Sequence, residues 1–127
     1  MRKILLVDDD EDLSFLIEEA LITAGYQVET AANGRLALAK LGDFTPDLIL
    51  TDLSMPDMDG IELTKAIKSE KPDLPIVAMS AGLAGRETHG PDGDAMIRIA
   101  QKLGADRGIS KPFRTSELLE VVADTLS

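Results

Sequence analysis

Short apolar runs and stretches of helical spacing alternate along this whole chain, and that alternation admits few folds. The first run, Ile4-Leu5-Leu6-Val7, stops at the acids Asp8, Asp9, Asp10, Glu11 and Asp12. Leu13, Leu16, Ile17, Ala20, Leu21 and Ala24 then follow at the spacing of one helical face, and Gly25 supplies its stop. Residues 28–31 read as a second strand, flanked and interleaved by polar Gln27, Glu29 and Thr30, as in a strand less buried than its neighbours. Asn33-Gly34 opens a short helix with Leu38 and Leu41 inward. Leu48-Ile49-Leu50 is apolar throughout, which predicts a central strand.

The same rhythm continues to the end. A helix over 60–69 turns Leu63, Ala66 and Ile67 inward, and residues 76–79 form a fourth apolar strand. Residues 82–93 are irregular, long against the roughly 2–6 residues usual for such a connection. Met96, Ile99, Ala100 and Leu103 make a further helical stripe closed by Gly104. A brief strand over 107–109 and a helix from Ser116, with Leu118, Leu119, Val122 and Leu126 inward, complete five βα units. The expectation is an α/β fold, a doubly wound five-stranded parallel sheet flanked by five helices, as one domain over residues 1–127 with no effector domain.

Composition narrows the function. With no cysteine, neither a disulfide framework nor a thiolate metal site is possible. A net charge of -10 repels phosphate backbones, which argues against direct nucleic-acid binding. The apolar run after Met1-Arg2-Lys3 is too short for a secretory core and no stretch approaches a membrane span, so a cytoplasmic location is expected.

Open parallel sheets bind ligands beyond the carboxyl ends of their strands, where strand order reverses. Asp8 and Asp9 follow the first strand, Asp52 the third, Ser80 the fourth and Lys111 the fifth. If the first and third strands are neighbours, Asp8, Asp9 and Asp52 converge. At about 4 Å and an effective dielectric of 20 such carboxylates repel by roughly 4 kcal/mol per pair. A divalent cation removes that cost, and oxygen ligands without His or Cys favour Mg²⁺ or a similar hard ion such as Mn²⁺. Taken singly, each residue has a plainer use. Acids after strands serve as helix N-caps, the expected role of Asp10 or Asp12, and a lone Ser80 or Lys111 is more often a loop hydroxyl or a surface cation. His89, the one histidine, sits in the polar loop and receives no role.

Four segments, in order, carry a resemblance: Val7-Asp8-Asp9; Leu50-Thr51-Asp52-Leu53-Ser54-Met55-Pro56-Asp57-Met58-Asp59-Gly60; Met79-Ser80-Ala81; and Ser110-Lys111-Pro112-Phe113. With these the chain resembles the CheY-like receiver family of response regulators over nearly its whole length. The resemblance implies the strand order 2-1-3-4-5. It implies Asp52 as phosphoacceptor, and Asp9 and Asp52 as carboxylate ligands of Mg²⁺ or Mn²⁺, with Asp8 contributing through water. It implies the backbone carbonyl of Ser54 as a further ligand, and Ser80 and Lys111 as the groups that hold the phosphoryl oxygens. It also implies a histidine kinase or histidine phosphotransfer protein as donor, an unidentified protein as downstream target, and a cis bond before Pro112.

Two features depart from the family pattern. Many members carry Tyr or Phe three residues before the lysine, a ring that swings inward on activation; here that position is Gly108. Residues 82–93 are also longer and richer in glycine than in compact members, and are either the segment that reorders on phosphorylation or a surface insertion without a role. Two other functions compete. A phosphatase resembling the haloacid dehalogenases would use Asp8-x-Asp10, Ser80 and Lys111, but lacks an acidic pair after Lys111 and leaves Asp52 unexplained. A flavin-binding module would want Ser, Thr and Gly where five acids follow the first strand.

Overall fold

The computed structural model describes residues 1–53, 60–80 and 95–127. Strand β1 (Lys3–Val7) leads to helix α1 (Glu11–Thr23), β2 (Gln27–Ala31) to α2 (Gly34–Lys40), and β3 (Leu48–Asp52) to α3 (Gly60–Glu70). Strand β4 (Ile76–Ser80) precedes α4 (Ala95–Lys102), and β5 (Arg107–Ser110) precedes α5 (Thr115–Leu126). The strands are parallel in the order β2-β1-β3-β4-β5, as expected.

Strand alternation divides the core in two. Ile4, Leu6, Leu48, Leu50, Val77, Met79 and Ile109 face one side, packed with Ile17 and Leu21 of α1 and Leu118 and Val122 of α5. Leu5, Val7, Ile49, Ile76 and Ala78 face the other, against Ala37 of α2, Leu63 and Ile67 of α3, and Ile97 and Ala100 of α4. Strands β3 and β4 are buried at every position because both faces are covered, whereas β2 is an edge strand of mixed burial. Gly25 and Gly104 take positive φ just beyond α1 and α4, the backbone of a helix stop.

Two helix faces differ from the sequence reading. On α1 the buried residues are Ser14, Ile17 and Leu21, while Leu16 is 64% exposed. Successive helix residues are about 100° apart, so a face centred on Ile17 and Leu21 carries Leu16 outward. On α4 Ile97 is buried and Ile99, assigned inward by spacing, is exposed. The cause lies in the sheet. A Cβ built at Gly108 of β5 would stand 2.2 Å from Ile97 Cγ2, so the missing side chain leaves the hollow that Ile97 fills. Periodicity cannot register a hollow contributed by another element.

Replacing Gly108 by alanine therefore sets two effects against each other. Strand glycine to alanine gains about 0.5–1 kcal/mol of backbone entropy, but overpacking against Ile97 costs about 1–3 kcal/mol. The clash should win. We expect Gly108→Ala to lower the urea midpoint and Ile97→Ala to cost less in that background than in the wild type, an interaction that a double-mutant cycle measures.

Candidate functional site

The sheet reverses its winding between β1 and β3, since β1 connects outward to β2 and β3 connects the other way to β4. A crevice opens there beyond the strand ends. Pairing of β1 with β3 runs to Val7 opposite Thr51, which leaves Asp8 as the first residue past β1 beside Asp52, the last of β3. Both side chains are almost wholly buried. Asp9 is exposed at the rim. Carboxylate oxygens of Asp8, Asp9 and Asp52 lie within 4.8 Å of one another.

The acidic run divides sharply at this point. The Asp8 backbone N–H donates to the Ala31 carbonyl (3.1 Å), extending the sheet by one bond. Its Oδ1 accepts from the Asp10 backbone N–H at 2.9 Å, which turns the chain out of the strand. The Asp10 side chain then caps α1, accepting from the Leu13 backbone N–H at 3.1 Å. Glu11 and Asp12 fall in the first helical turn, where the helix dipole favours acids. Two of the five acids thus face the crevice and three serve the helix that follows.

Lys111, just past β5, reaches across β4 to this pair. Its Nζ lies 3.3 Å from Asp8 Oδ2 and 3.4 Å from Asp52 Oδ1, with its side chain 19% exposed. The Lys111 backbone N–H donates to the Ser80 carbonyl (2.7 Å), which locks the start of the lysine loop to the end of β4. The Lys111–Pro112 bond is cis, as the resemblance implied. Ser80 is buried at the end of β4, one residue beyond Met79, the register partner of Asp52.

One ammonium against three carboxylates leaves the group net negative. An all-oxygen, acid-rich donor set of this kind suits a hard divalent cation, and nothing in it suits a soft one. The structure thus brings together Asp8, Asp9, Asp52 and Lys111, with Ser80 alongside. Ser54, expected to offer its carbonyl, lies outside the described residues, as do His89 and residues 82–93.

One part of the site had no role in the sequence reading. A Cβ at Gly60 would stand 2.2 Å from the Asp52 carbonyl oxygen and 2.7 Å from Leu53 Cα, so α3 begins directly against the backbone of the phosphoacceptor candidate. The Gly60 N–H donates back to the Leu53 carbonyl (3.2 Å). A glycine opening a helix soon after a strand end is the only sequence signal of such a contact.

An acidic cluster with a bridging lysine, at the switch point of a doubly wound sheet, places the chain in the class of α/β proteins whose ligand site lies beyond the strand ends. The family model described as response regulator receiver domain matches residues 4–123, and the chain belongs to that family, the receiver module of two-component signalling. The chain is 38% identical over 122 residues to the DNA-binding transcriptional regulator NtrC of Salmonella typhimurium, covering 96% of this chain and 24% of that protein. It is 34% identical to the chemotaxis protein CheY of Thermotoga maritima, covering 95% of this chain and 94% of that one. Among solved structures, chemotaxis protein CheY4 of Vibrio cholerae superposes with a TM-score of 0.85 at 33% identity, covering 99% of both chains. The phosphatase alternative finds no support: Asp10, which it needs in the site, caps α1 instead.

Because the atoms that Gly60 approaches are backbone, they cannot rotate away. We expect Gly60→Ala to destabilise the fold by about 2 kcal/mol or more, despite the better helix propensity of alanine, which is worth about 1 kcal/mol. Chemical denaturation of the two proteins checks this.

Proposed function

We propose that residues 1–127 act as a single receiver domain in which Asp52 accepts a phosphoryl group from the phosphohistidine of a histidine kinase or histidine phosphotransfer protein. The observation that carries this reading is the convergence of Asp8, Asp9, Asp52 and Lys111 from three strand ends on one crevice. In the reaction a carboxylate oxygen of Asp52 attacks phosphorus, the nitrogen–phosphorus bond of the donor breaks with its electron pair returning to nitrogen, and the donor ring, protonated on its other nitrogen, leaves as neutral imidazole. A carboxylate approaching a phosphoryl group ringed by oxygens meets repulsion, and the chain's task is to offset it. Lys111, already within ion-pair distance of Asp52, would pair with a phosphoryl oxygen, and the Ser80 hydroxyl would donate to another. Asp8, Asp9 and Asp52 would hold Mg²⁺ or Mn²⁺, with the Ser54 carbonyl as a further ligand; when bound, that ion supplies the positive charge that three carboxylates and one lysine lack.

The protein is then a substrate of its own phosphorylation rather than a turnover enzyme, and it signals by conformational change to a downstream protein. Direct contact with nucleic acid is disfavoured by a net charge of -10. Among the described residues no helix is long and apolar enough to cross a membrane, and a cytoplasmic location suits a domain that would take its phosphoryl group from a histidine kinase.

Incubation with acetyl phosphate and Mg²⁺ should add one phosphoryl group, seen by intact-mass spectrometry, and Asp52→Asn should take up none. Equal labelling of that variant would remove Asp52 from the reaction. Divalent cation should also stabilise the native state by mass action. With Mg²⁺ at tenfold its Kd the melting temperature should rise by roughly 5 °C, and Asp9→Ala should abolish the rise, while its metal-free melt, relieved of one repelling carboxylate, does not fall below that of the wild type.

A further inference from the structure

Thr51 stands beside the phosphoacceptor in β3 and is fully buried. Strand alternation sends its side chain to the face of Ile49 and Val7, opposite to that of Asp52, so it cannot meet a phosphoryl group in the crevice. Its hydroxyl nevertheless serves the site from behind. Thr51 Oγ1 donates to the backbone carbonyl of Asp52 at 3.0 Å in a buried environment. Gly60 closes against that same carbonyl, where no side chain would fit.

The backbone ladder ends at this peptide. Thr51 is the last β3 residue in register with β1, and the final bond toward β4 runs from the Leu53 N–H to the Met79 carbonyl. That bond holds the N–H end of the peptide between Asp52 and Leu53, and the Thr51 hydroxyl holds the carbonyl end of the same peptide. Its orientation fixes ψ of Asp52, and with it the direction in which the chain leaves the strand relative to the carboxylate. From these contacts we infer that Thr51 is a positioning residue: its hydroxyl holds the Asp52 carbonyl and so aims the carboxylate at the incoming phosphorus. The inference rests on Asp52 being the phosphoacceptor. Valine at this position would keep the shape and lose the donor, whereas serine would keep the donor and lose only a methyl group.

The test compares wild type, Thr51→Val and Thr51→Ser with acetyl phosphate in saturating Mg²⁺. Initial rates are read by intact mass across donor concentrations, and Mg²⁺ affinity is measured separately by thermal shift. A misaimed nucleophile slows the chemical step more than donor binding. Thr51→Val should lose about tenfold in rate at saturating donor, with little change in the half-saturating concentration or in Mg²⁺ affinity. Thr51→Ser should recover to within twofold of wild type. A valine variant as fast as wild type overturns the inference, and so does a serine variant as slow as valine, which would mean that only packing matters. If Thr51→Val melts below the assay temperature, Thr51→Cys takes its place: its weaker thiol donor should give a rate between wild type and one tenth of it, and a wild-type rate overturns the inference. A wild-type chain that takes up no phosphoryl group overturns the phosphoacceptor reading itself, whereas a reactive wild type beside an equally reactive Thr51→Val overturns only the role of Thr51.

Discussion

Three carboxylates held within 4.8 Å of one another repel, and the rest of the fold must hold them there. At an effective dielectric of 20 each pair at about 4 Å costs roughly 4 kcal/mol. Lys111 offsets part of this by standing within 3.4 Å of both Asp8 and Asp52. Covalent proximity does none of the work, because the lysine lies far along the chain from the aspartates and reaches them only through the sheet. What resists the remaining repulsion is burial. The strands that end in Asp8, Asp52 and Ser80 are apolar on both faces, so moving any one of them apart would open both halves of the core.

Apolar burial fixes strand positions, but it does not fix how the chain leaves each strand. Local polar contacts do that here. Asp8 Oδ1 takes the Asp10 N–H and turns the chain toward α1. The Thr51 hydroxyl takes the Asp52 carbonyl, and the Lys111 N–H takes the Ser80 carbonyl. Each bond sits where a strand ladder ends. Gly60 and Gly108 contribute in a different manner, by leaving out atoms. Gly60 lets α3 begin against the Asp52 backbone, and Gly108 lets α4 lodge Ile97 against β5.

That second contact departs from the common receiver pattern. In many receivers an aromatic side chain occupies the position of Gly108, whereas here Ile97 of α4 fills the space. The β4 end that carries Ser80 and the β5 end that carries Lys111 are joined by their own hydrogen bond, and α4 packs on both strands. Among the described elements, α4 is thus seated on this side of the sheet by Ile97 and Ala100, with no ring on β5.

Much of this was legible in the residues themselves. The alternation of apolar runs with helical spacing was enough for five βα units, and the all-apolar runs marked β3 and β4 as buried on both faces, because a strand covered on both sides has no polar position to show. Strand ends picked out Asp8, Asp9, Asp52, Ser80 and Lys111, since ligands collect there in this fold class. The helix faces of α1 and α4 were only half legible. Leu16 and Ile99 have the right spacing and the right chemistry, yet they point outward, because the buried arc of a helix is chosen by the surface it lands on. The division of the five acids was legible as well: Asp8 and Asp9 were expected at the strand end and Asp10 or Asp12 at the helix start, and Asp10 is the cap. Hydrophobic pattern is a one-dimensional property and survives in sequence. The hollow at Gly108, the close approach at Gly60 and the reach of Lys111 across β4 are relations between segments distant along the chain, and only packing in three dimensions brings them into being.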